Sequence, residues 1–130
     1  MNFIFTEKAP APGGHYSQAV QAGGFTFVSG MLPGPGVALD GPDNFARQVR
    51  ATLDHCQRVL EEAGCRLTDV VQCTAYIVGV NNWPEFNRLY AERFGAHKPA
   101  RAVVPVPELH HGFLVELQMV AYRDALLRAE

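Results

Sequence analysis

One run limits the architecture more than any other part of the chain. Asp69 to Val80 (DVVQCTAYIVGV) is nearly continuous in apolar character. Its length and composition predict a strand, and its lack of clean alternation predicts a central strand covered on both faces. The rest of the chain must supply neighbours and covers for it.

Two amphipathic segments can act as covers. Beyond Asn44, residues Phe45, Val49, Leu53, Cys56, Leu60 and Ala63 recur at helical spacing, while Arg47, Arg50, Asp54, Arg58 and Glu61 mostly take the other side. Asp43 is placed to cap this helix and Gly64 to stop it. Trp83, Phe86, Tyr90 and Phe94 form a second stripe. It lies between an Asn82–Glu85 capping box, with Pro84 in the first turn, and a closing Gly95.

Residues 3–5, His15–Val20, Phe25–Ser29, Arg101–Val104 and Phe113–Tyr122 read as further extended segments, with Gly23-Gly24 as a hairpin turn. Pro105 and Pro107 cannot donate to a ladder, so the Arg101 strand is an edge or ends there. Gly30 to Pro42 carries too much glycine and proline for a helix. The order β-β-β-α-β-α-β-β predicts an α+β fold in which residues 1–130 form one domain, with one mixed sheet and two helices on one face. Nothing in 130 residues is left to cover the other face, which hints at a second copy of the chain.

Composition narrows the function classes. With 48% hydrophobic and 18% charged residues the chain reads as globular rather than disordered. A net charge of -2 with no basic block argues against nucleic acid as a partner. Cys56, Cys65 and Cys73 show no CxxC spacing and read as structural thiols of a reducing compartment. No signal-like start and no apolar run near the roughly 20 residues of a membrane span are visible, so a soluble cytoplasmic protein is expected.

Within this framework two charges stand out. Arg101 sits on one short apolar run and Glu116 inside another, where alternation puts Glu116 with Gln118 and opposite Val115, Leu117 and Met119. A charge on a half-buried strand is costly unless it is paired or meets a ligand. Pairing with each other or with other chain groups is one outcome, and a ligand site is the other. An arginine can grip a carboxylate with two parallel hydrogen bonds, and a carboxylate can orient and deprotonate water. Tyr16, Ser17, Ser29 and Asn87 are possible polar accessories, although spacing alone makes Asn87 a surface or edge residue.

Other chemistries find little support. There is no GxSxG elbow, P-loop, GxGxxG or HExxH. His110-His111, read as adjacent extended residues, would point to opposite faces and lack clustered co-ligands, so no metal is expected. His55 reads as a solvated or rim residue and Cys73 as core.

The motifs also carry a resemblance. His15-Tyr16-Ser17-Gln18-Ala19, Gly24-Phe25-Thr26-Phe27-Val28-Ser29-Gly30, Asp69-Val70-Val71, Asn87 to Gly95 (NRLYAERFG), Pro99-Ala100-Arg101 and Leu114-Val115-Glu116 occur in an order that resembles the Rid/YjgF family. These are the reactive-intermediate imine deaminases, once labelled endoribonuclease L-PSP. The resemblance implies a chorismate-mutase-like fold assembled as a barrel-like homotrimer with clefts between subunits. It also implies hydrolysis of small 2-imino acids, such as those from 2-aminoacrylate, to 2-keto acids and ammonia without any cofactor. Position by position, Arg101 matches the residue that holds the substrate carboxylate and Glu116 the acid that positions water. Tyr16 matches a tyrosine from the adjoining subunit, Ser29 and Asn87 match polar cleft residues, and the backbone near Val103 would meet the imine or keto end. Arg101 and Glu116 are thus expected at two ends of one cleft.

The chain departs from the family pattern at His15, Met31, Ala102 and Val103, where proline, glutamine, serine and cysteine are usual, and in the bend from Pro105 to His111. Alternatives of other classes are a keto-acid binding or regulatory protein without turnover, a pathway-specific deaminase of aminomuconate type, and an endoribonuclease.

Overall fold

A computed structural model describes residues 1–128. Six strands form one sheet: β1 (Asn2–Ile4), β2 (Ala19–Ala22), β3 (Phe25–Met31), β4 (Val70–Val78), β5 (Ala100–Val106) and β6 (Val115–Tyr122). Their spatial order is β1-β2-β3-β6-β4-β5. Only β4 and β5 run parallel, joined by helix α2 (Trp83–Phe94); the other pairs are antiparallel. Helix α1 (Asn44–Glu62) crosses from β3 to β4 and packs on β3, β6 and α2. Both helices therefore lie on one face, as the two apolar stripes predict.

That helix face holds the core. Val28, Met31, Cys73, Ala75, Ile77, Val115, Leu117, Met119 and Ala121 point into it from the sheet and are buried. Val49, Leu53, Cys56, Val59 and Leu60 of α1 and Phe86, Leu89 and Phe94 of α2 meet them. The expectation that β4 is covered on both faces needs correction within one chain. Its residues alternate between buried positions and exposed or half-buried ones, and Val71 is 44% exposed. The apolar run of β4 carries a face that this chain does not cover. The same open face presents Phe3 at 71%, Phe27 at 47% and Phe25 at 42% exposure, aligned across β1, β2 and β3 through Phe3–Val20–Phe27 pairing.

Several local readings are corrected. Asp43 does not cap α1: it adopts a left-handed conformation (φ 58°) and its side chain makes no capping bond. The Asn82–Glu85 capping box is absent; the Asn82 side chain instead donates through Nδ2 to the Val78 carbonyl at 2.9 Å. Of His15–Val20 only the end is strand, and the preceding residues form a bent turn. Asp69 ends a 3-10 turn instead of starting β4, its carboxylate accepting from the Arg66 amide at 2.7 Å. At the C-terminus, where DALLRAE reads as an added helical turn or a frayed end, Asp124–Arg128 form a 3-10 turn in agreement, and residues 129 and 130 lie outside the described part.

One buried amide ties the long loop to the rest. Gln48, fully buried on α1, donates to the Ala38 carbonyl at 3.0 Å and accepts from the Leu114 amide at 2.8 Å. It fixes both the glycine-rich loop and the start of β6 to the same helix turn. Replacing it strands two partly buried backbone groups. Gln48→Leu is expected to lower stability by about 2 kcal/mol in urea unfolding at fixed protein concentration.

Candidate functional site

Arg101 lies on β5 and projects to the helix face, in register with buried Cys73. Its guanidinium stands over the Tyr90 ring at 5.0 Å and the Phe86 ring at 6.0 Å from the centroids, within cation–π range. Its Nη1 donates to Asn87 Oδ1 at 2.9 Å. One α2 turn thus supplies an aromatic platform and an orienting amide. Arginine carries five donors in a fixed fork, so the remaining ones can still take a carboxylate. Val103 shares this face of β5, half-buried and paired with Ala75. Beyond β5 the sheet ends, leaving an edge.

Glu116 lies on β6 and projects to the open face, in register with Tyr76. Its surroundings are shaped by a bulge in β3. Val28 pairs with Met119 and Met31 with Leu117, so Ser29 and Gly30 together stand opposite Gln118. The extra residue lets both Val28 and Met31 point into the core. It also brings the Gly30 Cα against the acid: a Cβ there would lie 2.1 Å from Glu116 Oε2. Burial raises the pKa of the half-buried Glu116 above the usual carboxylate value, and the nearby His110 charge lowers it in part.

Ser29 and Tyr16 belong to the same side. Ser29 Oγ donates to the Ser17 carbonyl at 2.6 Å, and the Ser29 amide donates to the Gln18 carbonyl at 2.9 Å. The serine thereby fastens the segment bearing Tyr16. Tyr16 itself closes a small turn, its hydroxyl accepting from the Gly13 amide at 3.3 Å. Tyr16 and Gly30 both line a cavity of about 920 Å³ bounded by the 31–39 loop and the His110–Phe113 bend.

The six expected site residues thus form two groups. Arg101, Asn87 and Val103 gather on the helix side at the β5 edge; Glu116, Ser29 and Tyr16 gather around the open side of β6 and the bulge. The register makes this a matter of parity, because Cys73 and Tyr76 are an odd number of residues apart on β4 and their partners face opposite ways. Within one chain, Arg101 and Glu116 are therefore not two ends of one cleft, and Tyr16 sits with Glu116. Nor do the two charges pair: among the described residues the ion pairs are Arg66–Asp69, Arg88 with Glu85 and Glu92, and Arg93–Asp54.

Other sequence readings also change. His110 and His111 lie in a 3-10 turn, with His111 left-handed (φ 62°), and their ring centroids are 3.8 Å apart instead of facing away from each other. Among the described residues no group of three or more His, Cys, Asp or Glu is placed to hold a metal ion. His55 is a half-buried rim residue; its Nε2 meets the Pro33 carbonyl at 2.8 Å and holds the long loop. Cys73 is core as expected, its pKa pushed up to about 12 by burial, against weaker lowering by the Tyr90 hydroxyl and Arg101.

Comparison with known proteins gives this geometry its context. Residues 6–123 match the family described as Endoribonuclease L-PSP. The chain belongs to that family, the Rid/YjgF family. A RutC family protein of Pyrococcus abyssi is 40% identical over 122 residues, covering 93% of this chain and 96% of the relative. The 2-iminobutanoate/2-iminopropanoate deaminase of Escherichia coli is 32% identical over 123 residues, covering 92% and 96%. The solved structure of E. coli TdcF with bound serine superposes with a TM-score of 0.86 at 28% identity, covering 95% of this chain and 99% of that one.

In this L-PSP family chain, the features hardest to see in the sequence are the bulge and the work of Gly30. Glycine at that position is needed for space and not for a special backbone angle. Gly30→Ala is expected to leave the fold intact while moving the Glu116 carboxylate by about 1 Å or more, the shortfall from an ordinary carbon–oxygen contact. A crystal structure of the variant, read against circular dichroism for the fold, checks this.

Proposed function

We propose that the protein is an imine/enamine deaminase whose cleft is completed by two copies of the chain. Arg101, with Asn87 and the Val103 backbone, comes from one copy; Glu116, Ser29 and Tyr16 come from the next. The observation that carries this reading is the opposite orientation of Arg101 and Glu116, each prepared for a partner that its own chain does not supply. The bare open face and the β5 edge offer surfaces for the contact, and a homotrimer is the assembly expected from the family resemblance. The name of the E. coli relative and the amino acid bound to TdcF support a small substrate bearing a carboxylate.

The proposed chemistry is hydrolysis of a 2-imino acid. The Arg101 fork binds the carboxylate, and its aromatic platform keeps the guanidinium flat and in place. The Glu116 carboxylate accepts a proton from water as the water oxygen bonds to the iminium carbon, giving a carbinolamine. Glu116 then returns the proton to nitrogen. The C–N bond breaks as the hydroxyl oxygen forms the carbonyl and releases its proton, which leaves with ammonia. The net change is iminium plus water to 2-keto acid plus ammonium, with the carboxylate regenerated. No step calls on a cofactor.

Subunit mixing tests the shared cleft. Arg101→Ala and Glu116→Gln are each expected to abolish ammonia release from enzymatically generated 2-iminopropanoate. Dissociated and reassembled together in equal amounts, they are expected to recover roughly a quarter of wild-type activity, because random neighbours place two intact halves together about one time in four. No recovery from well-folded mixed assemblies means the site is not shared between copies. Binding of a keto acid by wild type without any ammonia release points instead to a sensing protein.

The acid's environment sets a pH dependence. Glu116 must be ionised to take a proton from water, and burial raises its pKa. kcat/KM should therefore fall on the acid side at a higher pH than an unperturbed carboxylate would give. His110 lowers that pKa, so His110→Ala is expected to move the acid limb further upward. A limb that stays put in this variant removes His110 from the electrostatics of the site.

A further inference from the structure

The large cavity next to Glu116 is more than the proposed reaction needs. At about 920 Å³ it lies at the upper end of the roughly 300–1,000 Å³ range of small-molecule sites, far beyond a methyl or ethyl substituent. Three segments wall it: the 10–16 turn, the 31–39 loop and the His110–Phe113 bend. Such segments would often be mobile, but here buried polar side chains hold each one.

Gln18 holds the first wall. It is buried, accepts from the Thr6 amide at 2.7 Å, and donates to the Thr6 and Pro10 carbonyls at 3.1 and 2.9 Å. His55 holds Pro33 of the second wall, while Asn44 Nδ2 donates to the Leu39 carbonyl at 2.9 Å and Gln48 holds Ala38. Gln48 also receives the Leu114 amide, which fixes the exit from the third wall. Because these amides are spent on backbone groups, they shape the cavity without offering hydrogen bonds to a ligand.

The lining chemistry is correspondingly apolar. Met31, Leu32, Val37, Leu39 and Phe113 supply side chains, and the His110–His111 pair adds ring faces. Among the described residues no Asp, Glu, Lys or Arg lines it. The cavity borders the acid end of the candidate site without including Glu116: Tyr16 and Gly30 are part of its wall, and Gly30 lies beside the Glu116 carboxylate.

The geometry points to this cavity as the receptacle for the substrate's side chain, and to a bulky, uncharged apolar side chain, branched or aromatic, as its occupant. This rests on the reading of the cleft as a 2-imino acid site, and it goes beyond that reading by naming the substituent. Met31 and the His110-His111 bend, which depart from the family pattern, are among its walls.

Binding of stable 2-keto acids, the products of the proposed reaction, tests the inference separately from catalysis. By calorimetry, the wild-type assembly is expected to bind phenylpyruvate and 4-methyl-2-oxopentanoate about tenfold or more tightly than pyruvate, the discrimination an apolar pocket gives for added hydrocarbon. Leu39→Glu, at an exposed loop position, is expected to collapse that ratio toward one by placing a charge in the cavity. Pyruvate binding as tightly as the larger acids overturns the inference. So does a ratio that Leu39→Glu leaves intact, or no binding of any of the three. Failure of imine hydrolysis alone, with the binding preference and its loss in Leu39→Glu both present, overturns the deaminase reading while leaving the side-chain cavity in place.

Discussion

The pairing of β4 with β5 on one side and β6 on the other is the constraint on which the rest of this structure depends. It sets the register of Arg101 against Cys73 and of Glu116 against Tyr76. Strand alternation then allows no choice about direction, and the two charges leave opposite faces of the sheet. A slip of one residue would turn Glu116 into the core or Arg101 away from its aromatic platform to the open face. Arg101 finds its place because α2 brings Phe86, Asn87 and Tyr90 to the β5 edge. Glu116 finds its place because β3 bulges beside it. Both are local adjustments to positions that the sheet has already fixed.

Those adjustments differ in kind. Around Arg101 the protein adds partners: two ring faces and one amide oxygen, with several donors still free. Around Glu116 it removes them. The Gly30 backbone crowds one carboxylate oxygen, partial burial withdraws water, and His110 is the charge that offsets the cost. A desolvated carboxylate holds its proton more readily, which brings its basicity closer to that useful at neutral pH. The arginine is thus organised to bind and the acid to exchange a proton, as the proposed hydrolysis requires of each.

Much of this was legible in the sequence. The element order, both helix stripes and the alternation around Glu116 could be read because each is a local periodicity with a physical cause. Arg101 and Glu116 were conspicuous because charges in apolar strands are expensive. The relative direction of the two charges was not legible, since it depends on which strands adjoin β4 and in what register, a non-local fact. Nor was the bulge, because Ser29-Gly30 reads as an ordinary end of a strand. Asn87 looked like surface because helical spacing reports the distance from an apolar stripe and not what crosses the helix from a neighbouring strand. The hold of His55 on the long loop was not legible for the complementary reason: its partner is a carbonyl of that loop, and no periodicity reveals where such a loop lies. Asp43 and Asn82 show that a favourable residue type at a helix start does not oblige the side chain to cap.

Two facts that look separate have a common resolution under the proposed function. The first is the apolar open face with Phe25 and Phe27; the second is a set of site residues divided between opposite sides of one sheet. Joining the Arg101 side of one copy to the Glu116 side of another is a head-to-tail contact between two different surfaces. A contact of this kind either closes into a ring or continues as a filament. A two-fold dimer would instead require both surfaces to fall within one self-complementary patch, and a sheet with helices packed on one side separates them. A small closed ring completes one cleft at every junction and can turn the open faces toward one another, away from water. Burial of the aromatic row and completion of the site would then draw on the same contact, so loss of assembly and loss of function would be one event.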